Sequence, residues 1–215
     1  GNTSGNVGTG LRSTQPLDWA IVKRTDSTSD WQVAHSASGQ SNNFAYHLNL
    51  NSTDQLSGSS PYHMGTQNAT NGDRLYLAEG GLTSSATYVA YVWQERPGYS
   101  KFGSYTGNGS SDGPFIHLGF RPAWFLQKKT SGTGGWYLFD NKRSGFNVDN
   151  DMLVPNATDA EYDGQTYPRL DFVSNGIKWV DAGSSVHNAS GATYVYMAFA
   201  ERPSGTIFGV DANAR

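Results

Sequence analysis

The segment Ala86–Pro97 reads Ala-Thr-Tyr-Val-Ala-Tyr-Val-Trp-Gln-Glu-Arg-Pro, and it returns at Ala192–Pro203 with seven of twelve positions identical. Three further matches are collinear with it. Trp19–Thr25 matches Trp124–Thr130, Trp31 matches Trp136, and Asn51–Asp54 matches Asn156–Asp159. Gly1-Asn2 pairs with Gly107-Asn108, and Phe102-Gly103 pairs with Phe208-Gly209. The chain is therefore two copies of one unit, residues 1–106 and 107–215. No other feature narrows the fold so far, because any architecture must be built twice from a unit of this size.

Each copy reads as β structure. Pro122–Lys129 alternates and runs into Ser131-Gly132-Thr133-Gly134-Gly135, a turn-forming cluster, and Gly135–Asp140 is the partner strand. Leu170–Val180 carries Asn175-Gly176 between two apolar stretches, a strong hairpin signal. The strand beginning at Ala192 stops at Pro203, which cannot donate to a ladder. Helical spacing is absent, and Asn141–Gln165 is the longest irregular stretch. The expected fold is all-β: two tandem antiparallel sandwiches, lectin-like or jelly-roll-like, related by a pseudo-twofold. A single larger sandwich sharing strands between copies is the competitor.

Composition agrees. Twenty-six glycines and 13% aromatic residues suit short strands joined by polar turns. With no cysteine and 215 residues, the chain needs no disulfide staples to hold a core. A net charge of −3 argues against nucleic acid, whose binding needs clustered Lys and Arg. No apolar run approaches a membrane-spanning length, so membrane insertion is not expected. The first residues show neither a basic nor an apolar leader region, so no signal peptide is expected there.

Three stretches carry a family resemblance: Phe102–Gly109, Ile116–Trp124 with Trp136–Asp140, and Tyr194–Glu201. With them the chain resembles a family of uncharacterised β-rich domains found in tail fibres and other virion proteins of bacteriophages. The first copy departs from the pattern, having Gln15-Pro16-Leu17-Asp18-Trp19 where the second has Arg121-Pro122-Ala123-Trp124. What the resemblance implies is a place on the virion surface and a role in adhesion. It brings no catalytic residues.

Several residues are candidates for chemistry. Val195, Met197, Phe199 and Glu201 share one strand face, as do Val89, Tyr91, Trp93 and Glu95. Lys128 and Lys23 end the apolar stripes of the earlier strands. Glu95 is therefore expected to pair with Lys23, and Glu201 with Lys128, as structural ion pairs. The rival reading makes the glutamates catalytic, but no second carboxylate stands near either one, as glycosidase chemistry would need. Gly109-Ser110-Ser111-Asp112-Gly113 matches the nucleophile-elbow pattern without the helix that pattern requires. The five histidines lack metal-ligand spacing and read as surface or hydrogen-bonded residues.

Asn147–Asp151 alternates oxygen-bearing side chains that suit calcium, yet it lacks the glycine and closing glutamate of an EF-hand. A solvated loop is the preferred reading there, and no cofactor is expected. Tyr137, Asp140 and Asn141, with Asp149 and Asp151, are the candidate ligand-binding residues, a ring and carboxylates suited to a sugar. Trp136 is read as core. The expectation is a non-enzymatic module that binds a host receptor or polysaccharide and contacts other virion proteins. It is expected to act as a homo-oligomer, a trimer if it is a fibre. The alternative is a purely structural capsid-decoration or fibre-shaft domain.

Overall fold

The computed structural model describes residues 5–12, 14–38, 46–58, 64–65, 74–77, 85–145, 147–164, 168–181 and 186–202. Among them there is no helix, and every strand pairing is antiparallel. The chain divides into two compact units, Gly1–Glu95 and Arg96–Arg215.

In the first unit the strands are β1 (Gly5–Gly8), β2 (Trp19–Arg24), β3 (Trp31–His35), β4 (Tyr46–Asn49), β5 (Ser57–Gly58), β6 (Met64–Gly65), β7 (Arg74–Leu77) and β8 (Tyr88–Trp93). They form a sheet of order β5-β4-β3-β2-β8 and a smaller one of order β1-β7-β6. The second unit contains β9 (Ser100–Thr106), β10 (Phe115–His117), β11 (Pro122–Lys129), β12 (Trp136–Asp140), β13 (Leu170–Val173), β14 (Gly176–Trp179) and β15 (Thr193–Ala200). Its sheets have the orders β12-β11-β15-β9 and β10-β14-β13.

Several positions that match between the two halves of the sequence also have matching strand partners. Lys23 faces Val89 and Trp31, and Lys128 faces Val195 and Trp136. Ile21 lies between Val33 and Tyr91 as Leu126 lies between Leu138 and Met197. Even the side-chain bonds repeat, for Asn51 Oδ1 accepts the Trp31 N–H at 2.9 Å and Asn156 Oδ1 accepts that of Trp136 at 2.7 Å. The loop beyond β12 continues the likeness: the bridge from Leu138 to Leu153 stands where Val33 pairs with Leu48.

The unit boundary falls elsewhere than the repeat boundary. Residues 96–106 close the first copy in sequence but belong to the second compact unit, where β9 pairs with β15. The second large sheet thereby gains an edge strand encoded by the first copy.

Burial explains why the sheets come in pairs. In the second unit one core cluster unites Phe125, Phe139, Tyr196 and Ala198 of the large sheet with Ile116, Leu170, Phe172, Ile177 and Trp179 of the small one. In the first unit, Ala20, Val22 and Ala34 of the large sheet cluster with Leu75 of the small one. Trp179 lies at the centre of the second core, edge-on to Phe125 and Phe139 at centroid distances of 6.4 and 5.6 Å.

The Asn-Gly hairpin forms as β13 and β14, with a shifted turn. Val173 pairs with Gly176, so Ser174 and Asn175 make the turn and the glycine opens the strand. The reason lies across the sheet. A Cβ on Gly176 would stand 2.0 Å from the Ile116 carbonyl oxygen, so only glycine lets β10 approach β14. Gly176→Ala is expected to open this edge and to lower unfolding stability by about 1–3 kcal/mol. Urea denaturation measures this, and a wild-type midpoint would refute the close-approach account.

Candidate functional site

The glutamate–lysine pairs expected from the sequence do not form. Because β11 and β15 run antiparallel, Lys128 lies beside Val195 whereas Glu201 follows the far end of β15, beside Arg121. Shared faces located both residues at stripe ends, but strand direction sends them to opposite ends. Glu201 instead meets Arg121 at 3.0 Å and Lys142 at 3.8 Å. Lys128 is fully buried and gives Nζ to the Gly134 carbonyl at 2.7 Å. In the first unit Lys23 likewise donates to the Ser29 carbonyl and lies over the Trp31 ring. There the Glu95 backbone N–H is held by Asp18 at 2.7 Å, at the end of β2 away from Lys23. Both lysines therefore tie down the hairpin that follows their own strand.

The loop leaving β12 builds a polar concavity. Asp140 Oδ1 accepts the N–H groups of Lys142 and Arg143 at 3.0 and 3.2 Å, which turns the chain back at the strand end. Arg143 then bridges Asp140 at 2.7 Å and Glu161 at 2.5 Å. Asp140, Lys142, Arg143, Asp151, Glu161 and Asp163 line an open depression of about 470 Å³. Asp151 is anchored by the Gly164 N–H at 2.7 Å, and that bond holds its carboxyl below the usual range.

Behind it lies a second, smaller cavity lined by Arg121, Asn141, Gly145, Asn147, Asp149 and Phe172. Ser144 links the two, its hydroxyl oxygen standing 3.0 Å from Asp149 and 2.8 Å from Asp151 with one proton to share between them. Asn147 is spent on the backbone of Phe172, accepting its N–H and donating to its carbonyl. Asp149 is buried, and burial pushes its carboxyl up to about 6 although the Asp151 N–H and the Ser144 hydroxyl both favour the ionised form.

Of the five candidate ligand residues, Asp140 and Asp151 meet at the open depression, and Asn141 and Asp149 at the smaller cavity. Tyr137 lines neither and packs against the core. Trp136 is fully buried, so its ring is not offered to a sugar face. Among the described residues no group of three or more His, Asp or Glu side chains is placed to hold a metal ion. Asn147 Oδ1, Asp149 Oδ1 and both Asp151 oxygens accept from protein donors, while the buried Asp149 Oδ2 has no partner among the described residues. The Gly109–Gly113 stretch forms side-chain-capped turns leading into β10, where an elbow would need a helix.

Sequence reasoning missed Lys142, Arg143, Glu161 and Asp163, which complete the depression. Only the spacing of Arg143, three residues after Asp140 in a turn, signalled any of them. It also missed a buried pair. His187 Nε2 lies 2.6 and 2.7 Å from the two oxygens of Asp181, under the Trp179 ring at 4.4 Å. Asp181 further accepts the Arg169 N–H at 2.6 Å. Both side chains are fully shielded, so this pair locks the chain after β14 and presents no surface for chemistry.

A family model described as a domain of unknown function (DUF7483) matches residues 1–203. No curated protein and no solved structure matches the chain.

Two outcomes follow from this geometry. Glu201 is about one-third exposed, so Glu201→Ala should cost less than about 1 kcal/mol. A loss of about 3–5 kcal/mol, the cost of orphaning a buried charge, would contradict the observed pairing. The second concerns pH. The folded chain keeps a proton on Asp149 that the unfolded chain releases near pH 4, so this group's contribution to stability falls as pH rises from about 4 past 6. Asp149→Asn removes that dependence. The variant should gain on the order of 2–3 kcal/mol relative to wild type between pH 4 and pH 7.5. Urea unfolding at both pH values tests this, and an equal stability difference at the two would refute it.

Proposed function

We propose, for a chain that belongs to the DUF7483 family, a role as a non-enzymatic adhesion module on the surface of a bacteriophage particle. The observation that carries the reading is the open depression of about 470 Å³ lined by Asp140, Lys142, Arg143, Asp151, Glu161 and Asp163. Four carboxylates accept hydroxyl protons, and Arg143 and Lys142 supply donors for hydroxyl or carboxylate oxygens. A hydroxyl-rich polymer such as a host surface polysaccharide suits these groups, and an apolar ligand does not. The scaffold is read as two sandwiches, each closing its small sheet over its large one, which holds such loops in place. Two copies in one chain raise avidity for weak ligands.

A second reading is a purely structural capsid or shaft domain. It draws on Arg143 already being paired with both Asp140 and Glu161, which leaves the depression partly self-neutralised. Cell adsorption of the purified chain separates the two. Glu161→Gln combined with Asp163→Asn should weaken binding to host polysaccharide by at least about tenfold, since charge-assisted bonds contribute about 1.5–3 kcal/mol each. Both side chains are at the surface, so the melting temperature should stay within a few degrees. Release of reducing ends by the chain would refute the non-enzymatic role. Host binding untouched by the double substitution would leave the structural reading.

A further inference from the structure

In the second unit the last strand, β15, is paired on both edges, with β11 on one side and β9 on the other. In the first unit the corresponding strand, β8, is paired with β2 and forms the edge of its sheet. The consequence shows in burial. Tyr196, Met197 and Ala198 are buried, whereas their counterparts Ala90 and Tyr91 are exposed and Val92 is only half-buried. Tyr91 is 47% exposed where Met197 is 4% exposed. Among the described residues no strand pairs with the outer side of β8, and an edge of this kind, with aromatic and β-branched side chains, is a template for another strand.

The repeat says which strand. β9 follows β8 after a short turn in which Tyr99 N–H and Ser100 N–H bond to the Arg96 carbonyl, and it adds to β15 of the following unit. Phe102 and Gly103 are its central residues: Phe102 faces Met197 and packs edge-on to Phe199 at 6.2 Å. Gly103 faces Tyr196, whose ring lies so close that a Cβ would stand 2.5 Å from its hydroxyl. The same Glu-Arg-Pro turn and the same Phe-Gly pair recur after β15, as Glu201-Arg202-Pro203 and Phe208-Gly209. β15 has no vacant edge for them.

We propose that the outer edge of β8 is a strand-accepting site, and that it takes the segment Thr206–Val210 of a second copy of this chain. Transferring the β9–β15 register sets Phe208 opposite Tyr91, next to Trp93, and sets Gly209 opposite Ala90 and Val210 opposite Val89. A second copy is the occupant because Tyr91 stays exposed within the single chain. Donation runs head to tail, each chain passing Thr206–Val210 to the first unit of the next, as the first copy of the repeat passes β9 to the second. Such a contact is heterologous and builds rings or filaments. It stands apart from any ligand in the polar depression.

The chain has no cysteine, so introduced thiols report on this contact alone. In the β9–β15 ladder, Val195 and Ser104 form a non-hydrogen-bonded pair, lying between the bonded pairs of Ala192 with Gly107 and Ala200 with Tyr99. Such pairs hold their Cα atoms about 4.5 Å apart, within disulfide reach. Val89→Cys and Val210→Cys are made in separate full-length chains of different tag length, then mixed and oxidised. The expected product is a covalent dimer of mixed size, with each variant alone staying predominantly monomeric on a non-reducing gel. Val89→Cys mixed with Ala212→Cys, two residues out of register, should give little dimer. Absence of the mixed dimer overturns the proposal. So does a double variant that cross-links only within one chain, because that makes the chain's own segment the occupant. Sedimentation of the cysteine-free chain supplies an independent readout. Phe208→Asp should weaken self-association at least tenfold, and an unchanged or monomeric wild-type sedimentation profile would also overturn it.

Discussion

The antiparallel pairing of β8 on β2 and of β15 on β11 is the contact on which both units depend. It joins residues far apart in sequence, so it carries a loop-closure cost that local turns do not. Burial offsets that cost: Tyr194 through Ala198 are buried without interruption, and so are Phe125 through Lys128 on the facing strand. The threonines at the open end help to hold the register. Thr25 and Thr130 each bond through N–H and hydroxyl to the carbonyl of Thr87 and Thr193. With that register set, the lysine of β2 or β11 can reach only the hairpin beyond its own strand.

The core between the two sheets of the second unit follows from this arrangement. Phe125 and Tyr196 face the small sheet from adjacent strands and stack at 5.6 Å, and Trp179 enters between Phe125 and Phe139. Beneath Trp179 the His187–Asp181 pair replaces lost water with direct bonds, as a buried polar group must. Tyr105 of β9 joins this layer, giving its hydroxyl to the His187 carbonyl at 2.8 Å and stacking on Tyr194 at 4.8 Å. The strand encoded by the first copy is thus a working part of the second unit's core. That dependence explains why a β8 edge without its counterpart is exposed.

The polar depression is a by-product of how β12 ends. Asp140 is the last residue of that strand, and its carboxylate organises the turn that carries Lys142 and Arg143 outward. Asp149 and Asp151 return the loop towards the sheet, one buried and neutral in tendency, the other held ionised by the Gly164 N–H. Burial of Asp149 and the Gly164 N–H on Asp151 separate two carboxylates that the sequence presents as equivalent.

The amino-acid sequence by itself determined the all-β class, the Leu170–Val180 hairpin and the core role of Trp136, and it carries the internal likeness of its two halves in its own residue identities. These are legible because they rest on identity at fixed spacing, on side-chain alternation and on local turn chemistry. Tertiary structure decided what depends on direction and partnership between distant segments. Antiparallel pairing sent Glu201 to Arg121 and away from Lys128, and the approach of Ile116 moved the hairpin turn off Gly176. Pairing across the repeat boundary moved β9 into the second unit. Glu161 is drawn to Arg143 across a long loop with Asp163 lining the same depression, and packing of Tyr137 against the core kept that ring out of it. Side-chain identity and spacing are properties of one segment, whereas the neighbours of a charge are set only when two segments meet.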